Sequence, residues 1–120
     1  MIKDIAPDIY RQRLLIEGYY SINIDRKTVE EYLLGVAKHL GLKTYGEPVI
    51  FSPAGEGKTE NQGFDAFVPL VDSGISTYIW EHRRFFSVFL YTCRQFDVQV
   101  ALDYTGEFFQ VDGESVCQSF

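Results

Sequence analysis

Two apolar rhythms alternate along the chain. Arg13-Leu14-Leu15-Ile16-Glu17-Gly18-Tyr19-Tyr20 is a nearly continuous apolar run, which predicts a strand in a central position or buried on both faces. Val29, Leu33, Val36, Ala37 and Leu40 then recur at helical spacing, with Asp25 placed as N-cap and Gly41 placed to end the helix. Leu42 to Ser52 predicts a strand interrupted at Gly46-Glu47-Pro48 and resumed at Val49-Ile50-Phe51. Residues 53–63 are dominated by glycine and polar side chains and read as a loop. Strand-like runs follow at 64–71, 75–80 and 84–92, with Pro69 marking an edge or a bulge in the first. Glu81-His82-Arg83-Arg84 between the last two reads as a charged hairpin turn. Asp97 caps a second helix with Val98, Ala101, Leu102, Thr105, Phe108 and Phe109 on one face, although Gly106 inside it lowers the propensity. Residues 1–10 read as an extended lead-in, and 111–120 carry no clear pattern.

The order β-α-β(β)-β-β-β-α predicts one α+β domain over residues 1–120, a largely antiparallel sheet with both helices on one face. The other face would carry many aromatic side chains and need cover, which predicts a homodimer packed sheet against sheet. A hydrophobic fraction of 46% agrees with a packed core in a chain of 120 residues. The net charge of −6 argues against nucleic acid or an anionic membrane as the main partner and is compatible with a cationic small molecule. Cys93 and Cys117 cannot build a disulfide scaffold or a four-ligand zinc site, and His39 and His82 lack ligand spacing, so no metal is expected. The N-terminus lacks the apolar core of a signal peptide, and no apolar run is long enough to span a bilayer; a cytoplasmic protein is expected.

The candidate chemistry lies at Asp72-Ser73-Gly74, between two strand-like runs, with Cys93 twenty residues further on at the end of Phe89-Leu90-Tyr91-Thr92-Cys93. A serine in a tight acidic turn, with a thiol delivered by a neighbouring strand, can support self-cleavage and pyruvoyl chemistry. The ordinary reading is a hairpin with a turn serine and a buried cysteine, and spacing alone favours it. Gly55, Gly57 and Lys58 do not make a phosphate-binding loop, because the Gly-Lys-Ser/Thr spacing is wrong and no helix follows.

The chain resembles the small bacterial and archaeal S-adenosylmethionine decarboxylases, self-processing pyruvoyl enzymes of spermidine synthesis. Leu14-Leu15-Ile16-Glu17 resembles the first strand of that family. Phe51-Ser52-Pro53-Ala54-Gly55 is similar to its Phe-x-Pro-x-Gly segment. Asp72-Ser73-Gly74-Ile75-Ser76-Thr77-Tyr78-Ile79-Trp80 resembles Glu-Ser-His-Ile-Ser-Ile-His-Thr-Trp, and Phe89 to Cys93 its Phe-Thr-Cys end. The intervals from serine to tryptophan and from tryptophan to cysteine both match. The resemblance implies an α/β sandwich in which the Ser73 hydroxyl attacks the preceding carbonyl to give an ester. Elimination and hydrolysis would then split the chain between Asp72 and Ser73 and leave a pyruvoyl group on the new N-terminus. That group acts as electron sink for loss of carbon dioxide. Cys93 would return a proton to the substrate carbon, and Phe51 would stack on the adenine.

The chain departs from the pattern at identifiable places. Tyr78 stands where the family has its processing histidine, Gly74 replaces the histidine after the serine, and Asp72 replaces glutamate. A serine expected upstream of the cut falls near Asp65. His82 replaces the glutamate that holds the ribose hydroxyls, with Glu81 adjacent, and the loop after Phe51 is longer around 56–62. Three alternatives follow: a pyruvoyl decarboxylase of another amino acid such as ornithine or arginine, a non-cleaving homologue that binds a nucleoside ligand, or a homologue in specialised metabolism.

Overall fold

The computed structural model describes residues 2–53 and 55–120; Met1 of the lead-in and Ala54 of the Phe51–Gly55 segment lie outside the described residues. Six strands form one antiparallel sheet: β1 (Gln12–Tyr19), β2 (Val49–Phe51), β3 (Gly63–Leu70), β4 (Ser73–Trp80), β5 (Phe85–Thr92) and β6 (Ser115–Ser119), in the order β2-β3-β4-β5-β1-β6. Helices α1 (Arg26–His39) and α2 (Val98–Phe109) pack together on one face. The α+β architecture expected from the apolar rhythms is therefore present.

Strand alternation divides the side chains cleanly. Leu14, Ile16, Val68, Ile75, Ile79, Phe86, Val88 and Leu90 point to the helices and are buried with Val29, Tyr32, Leu33, Val36, Ala101 and Phe109. The opposite face carries Leu15, Phe67, Tyr78, Phe89 and Tyr91 with no helix packed over it, although the Phe120 ring stacks on Phe89 at 5.7 Å. Phe67 is 43% exposed and Tyr78 39%.

Local chemistry explains the element ends. The Asp25 carboxylate accepts from Thr28 N–H at 2.8 Å, and Asp25 N–H donates to the Thr28 hydroxyl at 3.3 Å, closing a capping box on α1. Asp97 accepts from the N–H groups of Gln99 and Val100 and starts α2, and Gly106 does not interrupt that helix. Pro69 sits where the outer partner of β3 breaks between Tyr45 and Val49. Its carbonyl accepts from Tyr45 N–H at 2.7 Å, so its absent N–H falls on the same side, beside the break.

Two sequence expectations change. The patternless tail contains β6, which pairs with β1 through Leu14↔Ser119 to Gly18↔Ser115. All five of its residues are exposed, so no apolar alternation marks it. β4 also begins at Ser73 and not at Ile75, because Ser73 pairs with both Leu70 and Thr92.

Two buried hydroxyls predict opposite stability effects. Tyr32 Oη lies 2.7 Å from Thr105 Oγ1, bridging α1 and α2 in the core, and burial holds the phenol far above its usual pKa. Tyr32→Phe leaves Thr105 without that partner and is expected to lower unfolding free energy by about 1–2 kcal/mol. Thr77 on β4 is fully buried and its hydroxyl has no hydrogen-bond partner. Thr77→Val removes that desolvated group at nearly constant volume and is expected to raise stability by about 1 kcal/mol. Urea denaturation of the two variants reads both signs; a destabilised Thr77→Val would mean that its hydroxyl is satisfied in solution.

Candidate functional site

The chain turns from β3 into β4 through Val71 and Asp72, and this turn positions the serine. Asp72 has φ 77° and Ser73 φ 146°, both in the region that favours glycine. Each such residue costs about 1–3 kcal/mol and persists only where its surroundings hold it. Here the holding is explicit. Val71 N–H donates to Lys43 O at 2.9 Å, and Ser73 is paired on both sides. The Asp72 carbonyl accepts from Cys93 N–H at 2.9 Å. Ser73 Oγ donates to Cys93 Sγ at 3.7 Å. A hydroxyl, its preceding carbonyl and a thiol thus meet on a strained peptide. The N–H already rests on the oxygen that would carry negative charge if that carbonyl were attacked.

Phe51, Asp65 and Tyr78 form a second group. Phe51 pairs with Asp65, and Asp65 with Tyr78, so the three lie in one row on the uncovered face. Phe51 is 66% exposed. A cleft of about 580 Å³ runs from Phe51 and Asp65 to Trp80 along Lys58 and Asn61. An apolar cleft of about 340 Å³ runs along Val49, Phe51, Phe67 and Tyr78, with Asp65 as its carboxylate. Another of about 340 Å³ lies between Trp80, His82, Tyr19 and Phe85. Glu81 is exposed and lies in the turn after β4, not on a strand; its N–H donates to Gln62 O at 2.9 Å.

The Gln62 and Asn61 side chains tie residues of the 53–63 loop to one another and to Trp80. The Gln62 amide donates to the carbonyls of Glu56 (2.8 Å) and Lys58 (3.2 Å) and accepts from Gly55 N–H (3.0 Å). Trp80 Nε1–H donates to Asn61 Oδ1 at 3.1 Å, anchoring the indole to the loop.

The candidate residues therefore fall into two groups. Asp72, Ser73 and Cys93 occupy one end of the sheet; Phe51, Asp65, Tyr78, Trp80 and His82 occupy the other. Tyr78 is five residues along β4 from Ser73, roughly 16 Å at strand rise, and the indole of Trp80 is further still. Gly74 also has a structural reason. A Cβ there would lie 2.4 Å from the Phe67 ring, which covers this glycine. Sequence reasoning missed Phe67, Asn61 and Gln62. Alternation with Asp65 places Phe67 on the uncovered face, whereas nothing in a polar loop marks which amide will organise it. Cys117 on β6 pairs with Ile16, and partial burial pushes its thiol pKa up.

Among the described residues no cluster of three or more His, Cys, Asp or Glu could hold a metal ion, and no helix is long and apolar enough to cross a membrane. A family model described as S-adenosylmethionine decarboxylase matches residues 13–119. The fold is similar to the crystal structure of the adenosylmethionine decarboxylase from Aquifex aeolicus, with a TM-score of 0.71 at 22% identity over 93% of this chain and 89% of that one. No curated protein matches the chain.

Proposed function

Since the chain belongs to the S-adenosylmethionine decarboxylase family, we propose that it cleaves itself between Asp72 and Ser73 and uses the resulting pyruvoyl group to decarboxylate S-adenosylmethionine. The observation that carries this reading is the strained Asp72–Ser73 junction, with its carbonyl held by Cys93 N–H at 2.9 Å and the Cys93 thiol 3.7 Å from the serine hydroxyl. Ser73 Oγ attacks the Asp72 carbonyl carbon, and Cys93 N–H receives the charge that develops on oxygen. Moving the acyl group from nitrogen to oxygen also relieves the backbone strain. The pyruvoyl group, once formed, supplies an electron sink for loss of carbon dioxide. Cys93 Sγ is the proton donor to the substrate carbon.

The second group of residues lies too far from Ser73 to share a ligand with it in one protomer. The reading therefore includes a homodimer that packs uncovered face on uncovered face. Each site takes Ser73 and Cys93 from one protomer and Phe51, Asp65, Tyr78 and Trp80 from its partner. Exposed aromatics on that face, Phe51 and Phe67 among them, are consistent with a surface that is covered in the assembly.

One observation favours a second substrate class. The apolar cleft along Val49, Phe51 and Phe67 carries Asp65 as its carboxylate, which suits an aliphatic stem ending in an ammonium or guanidinium group, as in ornithine or arginine. Loss of the ribose-holding acid at His82 points the same way.

Intact mass under denaturing conditions tests the chemistry. Two fragments split at Asp72–Ser73, the second with a blocked N-terminus, are expected. A single 13.8 kDa species would remove both decarboxylase readings and leave a non-cleaving homologue. Carbon dioxide release from S-adenosylmethionine, ornithine and arginine then assigns the substrate.

A further inference from the structure

Arg13 and Glu17 lie four residues apart on β1, and both point to the uncovered face, since the intervening Leu14 and Ile16 are buried beneath the helices. Their charges are opposite, and neither makes an ion pair within the protomer, where the Asp4 carboxylate feels the Arg13 charge only at longer range. Arg13 Nε is buried without a hydrogen-bond partner, and the guanidinium lies 5.5 Å from the centroid of the Phe120 ring. Among the described residues the one ion pair is Arg11–Asp4. Glu17 is half-buried, with Ser87 Oγ donating to it at 2.9 Å.

We infer that Arg13 of each protomer pairs with Glu17 of its partner, and that these two reciprocal ion pairs set the register of the homodimer. This rests on the dimeric reading above. A two-fold axis lying between the sheets and across the strands exchanges the two ends of each strand. It brings residue i opposite j and j opposite i, so one strand with a cation and an anion is self-complementary.

For Arg13 to meet Glu17 the axis must pass over Leu15. The ladder puts Leu15 opposite Phe89, Phe89 opposite Ser76, and Ser76 opposite Phe67. The axis row is thus largely apolar, with Leu15 and Phe67 meeting their own copies and Phe89 reaching the interface together with the Phe120 ring stacked on it. The ion pairs sit on either side of that row, as in interfaces with an apolar centre and a polar rim.

The same axis fixes a second relation that was not used to place it. The Arg13 row continues through Tyr91 to Gly74, and the Glu17 row through Ser87 to Tyr78 and Asp65. Pairing Arg13 with Glu17 therefore lays Tyr78 and Asp65 of the partner subunit over the Gly74 row, one residue from Ser73. The charges on β1 and the need to complete the Ser73 site select the same register. A register shifted two residues one way would put Arg13 over Leu15, and the other way over Tyr19, so neither would set it against a carboxylate.

The test is a charge swap in the full chain, with sedimentation velocity over a dilution series. Arg13→Glu and Glu17→Arg are each expected to raise the dimer dissociation constant at least tenfold, because like charges then meet at two symmetric places. The double variant restores the opposite charges and is expected to return within about threefold of wild type. Far-UV circular dichroism checks that each variant is folded, and the double variant carries the decision if one single variant is not. A monomeric wild type at all concentrations would overturn the dimeric reading itself. A dimeric wild type that tolerates both single reversals, or a double variant that stays as weak as the singles, would overturn the Arg13–Glu17 pairing and leave the dimer standing.

Discussion

Ser73→Ala yields a single 13.8 kDa chain with no decarboxylation above background, a loss of at least about 10⁴-fold, because the variant lacks both the attacking hydroxyl and the atoms from which the electrophile is made. The fold survives, since Ser73 contributes no packing to the core and its backbone pairs with Leu70 and Thr92 through main-chain groups. Comparison with Ser73→Gly separates chemistry from strain. Both variants lack the hydroxyl, but at φ 146° only glycine is relaxed, so Ser73→Gly is expected to be more stable than Ser73→Ala by about 1 kcal/mol or more. Equal stability of the two would mean that the junction is not strained, and that the holding contacts around Asp72 do not load the peptide for cleavage. Decarboxylation that survives in Ser73→Ala would place the electrophile elsewhere in the chain.

The strands and helices that bury a face were legible because burial writes a period into the sequence. α1 and α2 showed helical spacing behind aspartate caps, and β3, β4 and β5 showed long apolar runs. β6 buries nothing, so it left no trace; it forms because β1 still offers unpaired backbone groups on its outer edge. The site was half legible. The serine, the thiol and the aromatic at position 51 stood in the spacing of a known family, and the strain, hydrogen bonds and clefts around them give each a physical setting. Their separation into two ends of one sheet follows from strand rise alone, since the four residues between Ser73 and Tyr78 are all extended. It became visible only when those residues were known to run straight. The Gly74–Phe67 contact could not be read in advance, because it depends on cross-strand register.

Cys93→Ala separates the two reactions assigned to this corner. Its backbone N–H still donates to the Asp72 carbonyl, so self-cleavage is expected to proceed to the same two fragments. Its side chain no longer offers a proton, so kcat for decarboxylation is expected to fall about 10²–10⁴-fold with KM nearly unchanged. The split is expected because, on the proposed reading, one residue would serve cleavage through its main chain and turnover through its thiol, 3.7 Å from the Ser73 oxygen. If Cys93→Ala also blocks cleavage, the thiol itself takes part in processing. The 3.7 Å contact would then be a proton path for the serine hydroxyl and not only a mark of proximity. If kcat is unchanged, the proton comes from another group, and Tyr78 of the partner subunit is the next to remove, because the Arg13–Glu17 register lays it beside the same junction. Tyr78→Phe would then lower kcat, and it would do so only in preparations that remain dimeric. Loss of activity on dilution, with fragments intact, would separate a shared site from one contained in a single protomer.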